Sequence, residues 1–219
     1  MTQTNSRMIT SNQSSVHEDL EKIVLKHKIS PDRRPISDDQ KSCFEKAWNW
    51  QQQHNLPFIF DTGCGTGDSS INLALANPDK LVIAIDQSSH RLDKTKSTDK
   101  KYPNLLFVQA RLEEFWLQSL ENQWFPDFQC FFYPNPWPKK KHFLRRWHGH
   151  PILPIILKLC KNLELRTNWE IYAEEFQQAL LLFEIESQIT NINKIAPISA
   201  FEEKYQRSGH PLFQLRTVK

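Results

Sequence analysis

Cysteine, glycine and methionine are scarce in this chain of 219 residues, which has four, five and two of them. The cysteines, Cys43, Cys64, Cys130 and Cys160, lie far apart, with no Cys-x-x-Cys pair and no zinc-type His spacing beside them. This excludes a disulfide-stapled scaffold or a zinc ribbon and predicts free thiols in a reducing compartment. A surplus of one charge is also lacking: 28 Lys and Arg against 25 Asp and Glu leave a formal net charge of only +3. So mild a surplus does not by itself point to nucleic acid. No apolar run is long enough to cross a bilayer, and the longest, Pro151 to Leu159, contains two prolines. No N-terminal stretch has the order of a signal peptide, so a cytoplasmic protein without a membrane partner is expected. His142, His148 and His150 have no carboxylate or thiol near them in sequence, and no metal site is expected from them.

What is present divides into three stretches. Residues 1–15 are rich in Ser, Thr, Asn and Gln and read as a disordered polar tail. Residues 16–55 read as a helical appendage: a short helix from Val16 to Lys28, a turn-rich link from Ser30 to Pro35, and a helix from Asp38 to His54. Residues 56–219 read as one α/β domain. Strands at Phe58–Phe60, Leu81–Ile85, Leu105–Val108 and Phe128–Phe132 alternate with helices at Asp68–Ala76, His90–Lys100 and Leu112–Leu120. Further on come a helix from Ile152 to Lys161, a strand from Asn162 to Leu165 and a helix from Glu170 to Phe183. Two more strands fall within Ile185–Ile192 and Pro211–Val218. That order predicts a mostly parallel, seven-stranded sheet with helices on both faces. Ligands of such sheets bind beyond the carboxyl ends of the strands, so Asp61, Asp86 and Asn135 are expected to share one crevice.

Three of the five glycines fall in one turn, Asp61-Thr62-Gly63-Cys64-Gly65-Thr66-Gly67-Asp68, between the first strand and a helix. The spacing is G-x-G-x-G, not the G-x-G-x-x-G of dinucleotide sites. Asp68 at the helix start argues against a pyrophosphate there. Asp86, one strand later, is placed to accept from two ribose hydroxyls, and Asp61 suits a cationic sulfonium. This pairing is the arrangement that binds S-adenosyl-L-methionine, with Gly63, Gly65 and Gly67 as bare backbone for the ligand. A ligand-free tight turn or an NAD site are the alternatives.

After the strand Phe128–Phe132 the chain reads Tyr133-Pro134-Asn135-Pro136-Trp137-Pro138-Lys139-Lys140-Lys141-His142-Phe143-Leu144-Arg145-Arg146. Five cationic side chains fall within eight residues, directly after a segment whose Trp137 is suited to stack on a base. This stretch resembles the signature of the bacterial tRNA (guanine-N7)-methyltransferases, Pro-Asp-Pro-Trp with a following Lys and a His-x-x-Arg-Arg. The resemblance continues at Thr167-Asn168-Trp169-Glu170-Ile171-Tyr172-Ala173 and at Phe201-Glu202, Gly209-His210 and Leu215, and covers roughly Phe58 to Val218.

The resemblance implies a Rossmann-like class I methyltransferase fold, S-adenosyl-L-methionine as cofactor and tRNA as partner; the sequence leaves the oligomeric state open, with a monomer favoured. It implies that Asn135 and Glu202 orient the guanine, with Asn135 also beside the cofactor. Lys139, Lys141, Arg145 and Arg146 would hold phosphates, and Asn168, Ser199 and Phe201 would line the substrate side. Three departures stand out. The family's acids are Asn135 and Asn168 here, and its Thr-Lys/Arg-Phe-Glu is Ser199-Ala200-Phe201-Glu202. The acid that usually follows the third strand is Arg111, with Gln109 as an alternative adenine-side partner. Asn135 also fits the (Asp/Asn)-Pro-Pro-aromatic loop of enzymes that methylate exocyclic base amines, although the second proline is missing. A methyltransferase of altered target and an inactive RNA-binding homologue therefore stand as alternatives.

Overall fold

The computed structural model describes residues 6–95 and 101–218. Its centre is a seven-stranded sheet in the order β3-β2-β1-β4-β5-β7-β6. The strands are β1 (Phe58–Thr62), β2 (Leu81–Asp86), β3 (Leu105–Gln109), β4 (Phe128–Phe132), β5 (Leu163–Thr167), β6 (Ser187–Asn191) and β7 (Phe213–Thr217). β1 runs parallel to both β2 and β4, and β2 parallel to β3. β7 is antiparallel to β5 and to β6. The helices are α1 (Leu20–Ile29), α2 (Asp38–His54), α3 (Asp68–Ala76), α4 (Ser89–Leu92), α5 (Leu112–Glu121), α6 (Leu153–Leu159), α7 (Glu170–Leu181) and α8 (Ala200–Arg207). Every residue of β1 and β2 is buried, and up to the polar residues at their carboxyl ends both segments are apolar on both faces. The chain leaves β1 toward β2 and β3, then returns to β4 on β1's other side. That reversal makes the carboxyl ends of β1 and β4 the topological switch point.

The chain divides into two compact units. Unit I comprises Met1–Asp32, Tyr133–Pro154 and Glu164–Lys219, and unit II comprises Arg33–Phe132 and Ile155–Leu163. In unit II an aromatic cluster holds α2 to β1 and α5. Trp124 lies 5.3 Å from Phe44, 5.4 Å from Phe60 and 4.6 Å from Phe58, ring centre to ring centre. Its indole N–H donates to Gln51 Oε1 at 3.0 Å, so the one polar atom of this buried ring is satisfied. Phe44 and Ala47 are buried on the inner face of α2. The two helices of the expected appendage, residues 16–55, fall in different units. α2 belongs to the core of unit II, and α1 belongs to unit I.

Residues 6–15 also depart from the expected disordered tail. Ser6 N donates to Ser208 Oγ at 3.0 Å, Ser11 Oγ to the Pro138 carbonyl at 2.5 Å, and the Gln13 side chain is buried in unit I. A polar segment stays ordered when its polar groups find partners, and these do. The helix expected over His90–Lys100 is shorter: α4 ends at Leu92, a 3₁₀ turn covers Asp93–Thr95, and residues 96–100 lie outside the described residues. α8 has no counterpart among the expected elements: it is short and mostly polar, and only Glu202 of its residues is buried.

Candidate active site

In unit II the glycine turn is pinned to the end of β2. Gly63 N and Cys64 N donate to the Ile85 carbonyl at 2.8 and 3.1 Å. Gly63, Gly65 and Gly67 all have positive φ, +78°, +60° and +84°. A side chain at Gly63 or Gly65 would point into open space, whereas one at Gly67 would sit 2.7 Å from the Phe107 ring. Gly63 and Gly65 are thus free to receive a ligand on bare backbone. Gly67 is not: it is buried and lets α3 start against Phe107, a packing role instead of the expected cofactor contact.

Asp61 is buried at the end of β1. Its Oδ2 accepts from Ser69 Oγ at 2.8 Å and Ser70 Oγ at 2.6 Å, both on the first turn of α3. Its Oδ1 has no hydrogen-bond partner among the described residues. Burial, aided by the nearby charge of Asp86, pushes its pKa up to about 6 against the pull of the two serine hydroxyls. An unpartnered buried carboxylate oxygen costs free energy that a cationic ligand group would recover. Asp86, also buried, accepts from Ser88 N at 2.8 Å, Gly65 N at 3.0 Å and Arg91 Nη1 at 3.1 Å. Three of its four acceptor positions are filled. Of the three donors only Arg91, whose side chain is 54% exposed, is readily replaced. The exposed Gln109 pairs with Asp86 across β2 and β3.

Arg111 does not join this group. It caps α5 and turns toward the start of α2: its Nε lies 2.7 Å from Glu114 Oε1, and its Nη2 donates to Ser37 Oγ at 2.9 Å. The cation expected on the cofactor's adenine side is instead spent fastening α2 to α5.

In unit I the loop after β4 has positive φ at two non-glycine residues, Tyr133 at 53° and Trp137 at 44°. Such conformations cost about 1–3 kcal/mol each and persist only where neighbours hold them. The holder of Trp137 is Arg146, which donates to the Trp137 carbonyl from Nε and Nη2 at 3.3 and 3.1 Å. Arg146 is fully buried. Its Nη1 pairs with Glu175 Oε2 at 2.5 Å, its Nη2 donates to Gln13 Oε1 at 3.0 Å, and its guanidinium lies 4.7 Å from the Trp169 ring. Arg146 is therefore no phosphate ligand, contrary to expectation: its charge is neutralised inside the protein. Lys139, Lys141 and Arg145 are exposed, with Arg145 stacked 4.6 Å over Trp137. Asn135 is exposed, and its Oδ1 lies 3.5 Å from Trp137 N.

Glu202 is likewise not open to a base. It is fully buried, and Arg166 Nη1 grips both carboxylate oxygens, at 2.9 and 3.2 Å. Beside it lies the Tyr133 hydroxyl, and burial, together with the charge of Glu202 and its interaction with the hydroxyl, holds the phenol well above its ordinary pKa. Ser199, expected on the substrate side, caps α8 by accepting from Glu202 N at 3.2 Å. Phe201 remains open, 56% exposed. Asn168 Nδ2 donates to His210 Nδ1 at 3.0 Å, and His210 Nε2 donates to the Ser6 carbonyl at 3.0 Å.

The sequence reading missed Ser69, Ser70, Arg91, Gln13 and Glu175. For Glu175 a signal existed: an acid between Tyr172 and Phe176 on the apolar face of α7 calls for a buried cation. Among the described residues there is no group of three or more His, Cys, Asp or Glu that could hold a metal, and no helix is long and apolar enough to cross a membrane.

This fold, with acids at the ends of β1 and β2 and a glycine turn between them, is that of the class I Rossmann-like methyltransferases. Solved structures agree on the fold: an antibiotic-related methyltransferase superposes with a TM-score of 0.57 at 16% identity, over 85% of this chain and 96% of that one. The 16S rRNA methyltransferase KamB gives 0.55 at 16% identity, over 85% and 95%. The family model described as "Putative methyltransferase" matches residues 55–215, and the chain belongs to that family. Among curated relatives, the tRNA (guanine-N(7)-)-methyltransferase of Haemophilus influenzae (strain 86-028NP) is 29% identical over 74% of this chain and 70% of its own length. That of Actinobacillus pleuropneumoniae serotype 5b is 28% identical over 84% of each.

Proposed function

We propose that this chain transfers a methyl group from S-adenosyl-L-methionine to N7 of a guanine in tRNA, in the cytoplasm. The observation that carries the reading is the exposed Asn135, presented by a loop held at two positive-φ residues and followed at once by the exposed Lys139 and Lys141. The relatives named tRNA (guanine-N(7)-)-methyltransferase support it.

The cofactor fits the residues of unit II. Asp61 Oδ1, buried and unpartnered, suits the amino group of the methionine part, and Gly63 and Gly65 leave open backbone for the ligand. Asp86 accepts from the ribose once Arg91 yields its place, and Gln109 is the adenine-side group. When bound, the cofactor supplies an electrophilic methyl group on a cationic sulfonium.

Guanine N7 carries an in-plane lone pair and has no proton to lose, so this chemistry needs no general base. The work left to the protein is alignment and exclusion of water. In unit I, Asn135 Oδ1 accepts from the guanine's N–H edge. An amide makes this bond neutral, roughly half as strong as a carboxylate would make it. Trp137 and Phe201 offer faces for stacking. Glu202, Arg166 and Ser199 hold α8 and the Tyr133 end of the loop, and Asn168 with His210 holds the N-terminal segment. Lys139, Lys141 and Arg145 meet phosphates. The test is incubation with unmodified tRNA and methyl-labelled cofactor, followed by nucleoside analysis. Label in 7-methylguanosine supports the reading, and label in a methylated amine replaces it.

A further inference from the structure

The N-terminal segment is fastened along its length to unit I. Ser6 is held by Ser208 and His210, Ser11 Oγ donates to the Pro138 carbonyl, and Gln13 is buried against Glu175 and Arg146. Between the last two anchors and just before them, Thr10, Ser11 and Asn12 stay exposed. They form one wall of a groove of about 550 Å³ whose other wall is Lys139, Lys140 and Lys141.

The two walls are chemically distinct. One offers the ammonium groups of Lys139 and Lys141 beside Lys140, and the other the Thr10 hydroxyl and the Asn12 amide, the Ser11 hydroxyl already donating to the Pro138 carbonyl. Lys140 is answered by Glu18 at 3.1 Å, whereas Lys139 and Lys141 form no ion pair among the described residues. Phosphodiester oxygens are met in this way: Lys neutralises the charge, while Ser, Thr and Asn side chains bond phosphate and sugar oxygens and fix the register. An acidic peptide would want apolar anchor side chains as well, and none is among the residues that line this groove.

We infer that this groove holds the sugar-phosphate backbone of the RNA substrate, so that residues 10–12 form half of an RNA-binding surface with Lys139–Lys141. The inference rests on the proposed tRNA reading and extends it to a segment with no apolar pattern of its own.

The test is tRNA binding by fluorescence anisotropy across a salt series, using the full chain and the variants Asn12→Asp, Thr10→Glu and Lys139→Ala. S-adenosylmethionine affinity and thermal melting serve as controls, since the cofactor's residues lie in unit II. At low salt, Asn12→Asp and Thr10→Glu are each expected to weaken tRNA binding roughly fivefold by placing like charge beside phosphate. Lys139→Ala should reduce the slope of log affinity against log salt by about 0.7–0.9. Cofactor affinity should not move. The inference is overturned if both acidic variants bind tRNA as tightly as the wild type while Lys139→Ala binds more weakly, because the lysines then act without the strap. If the wild type binds cofactor but no tRNA, the functional reading fails, and the groove's assignment fails with it.

Discussion

Arg146 and Glu175 form an ion pair with no solvent exposure on either side chain, and the same guanidinium holds the Trp137 carbonyl. A buried pair of this kind adds little over a well-packed apolar pair, but removing one partner strands a charge in the interior. Arg146→Ala should therefore destabilise the protein by about 3–5 kcal/mol in urea unfolding. Its neighbour Arg145 is exposed over Trp137, and Arg145→Ala should change stability by less than about 0.5 kcal/mol. The same exposed arginine should account for a measurable part of the salt dependence of tRNA binding. Equal stability losses from the two adjacent variants would contradict the distinction.

Acid should unfold this protein through the same network. Burial alone would raise the Glu175 pKa, but the hydrogen bond from His148 and the charge of Arg146 outweigh it and bring it down to about 2 from 4.5. His148 is lowered from 6.5, chiefly by burial. Both groups bind protons more weakly when folded than when unfolded, so the stability they contribute is lost as pH falls. The loss should begin below about pH 6.5 with His148 and steepen between about 4.5 and 2 with Glu175. Thermal melts from pH 7 to pH 3 measure it, and in a folded Glu175→Gln variant the steep limb should flatten.

Asp61 behaves in the opposite sense. Its pKa is raised to about 6 from 3.8, so its ionisation costs stability as pH rises through that window. Cofactor binding needs the ionised form if its Oδ1 receives an ammonium. S-adenosylmethionine affinity should therefore be highest between about pH 6.5 and 7.5 and fall as pH drops below about 6, and Asp61→Asn should abolish the fall on the acid side along with most of the affinity. Calorimetric titration at several pH values checks this.

Two glycines of one turn should fail in different ways. At Gly67 an added methyl meets the Phe107 ring at 2.7 Å with φ at +84°, so Gly67→Ala should lower the melting temperature. Gly63→Ala meets no atom within 4 Å, and its strain from a φ of +78° should cost about 1–2 kcal/mol. Its larger effect should be on cofactor affinity, because the methyl occupies the space a ligand would use.

The alternation of strands and helices was legible because β1, β2 and β4 are short apolar runs bounded by turns, and α2, α3 and β4 begin and end where residue patterns place them. The positions of Asp61 and Asp86 at strand ends, and of the glycines in one turn, were legible for the same reason, although the packing role of Gly67 against Phe107 was not. Arg146 was not, since a sequence does not tell which of two adjacent arginines turns inward. That choice is made by Glu175, 29 residues away on α7. Glu202 misled in the same way, because Arg166, which buries it, lies on β5. α8 left one trace, Ser199 three residues before Glu202, a capping spacing whose carboxylate went to Arg166 instead of back to the cap.

The most direct test of the central claim maps the methylated atom. Unmodified tRNA is incubated with the protein and S-adenosylmethionine, then treated with borohydride and aniline, which cleave the strand only at 7-methylguanosine. The account predicts one new cleavage at a guanine, absent without cofactor and lost in Asp61→Asn. Uncleaved tRNA that nevertheless carries the methyl label, or tRNA that takes up no label at all, would contradict it.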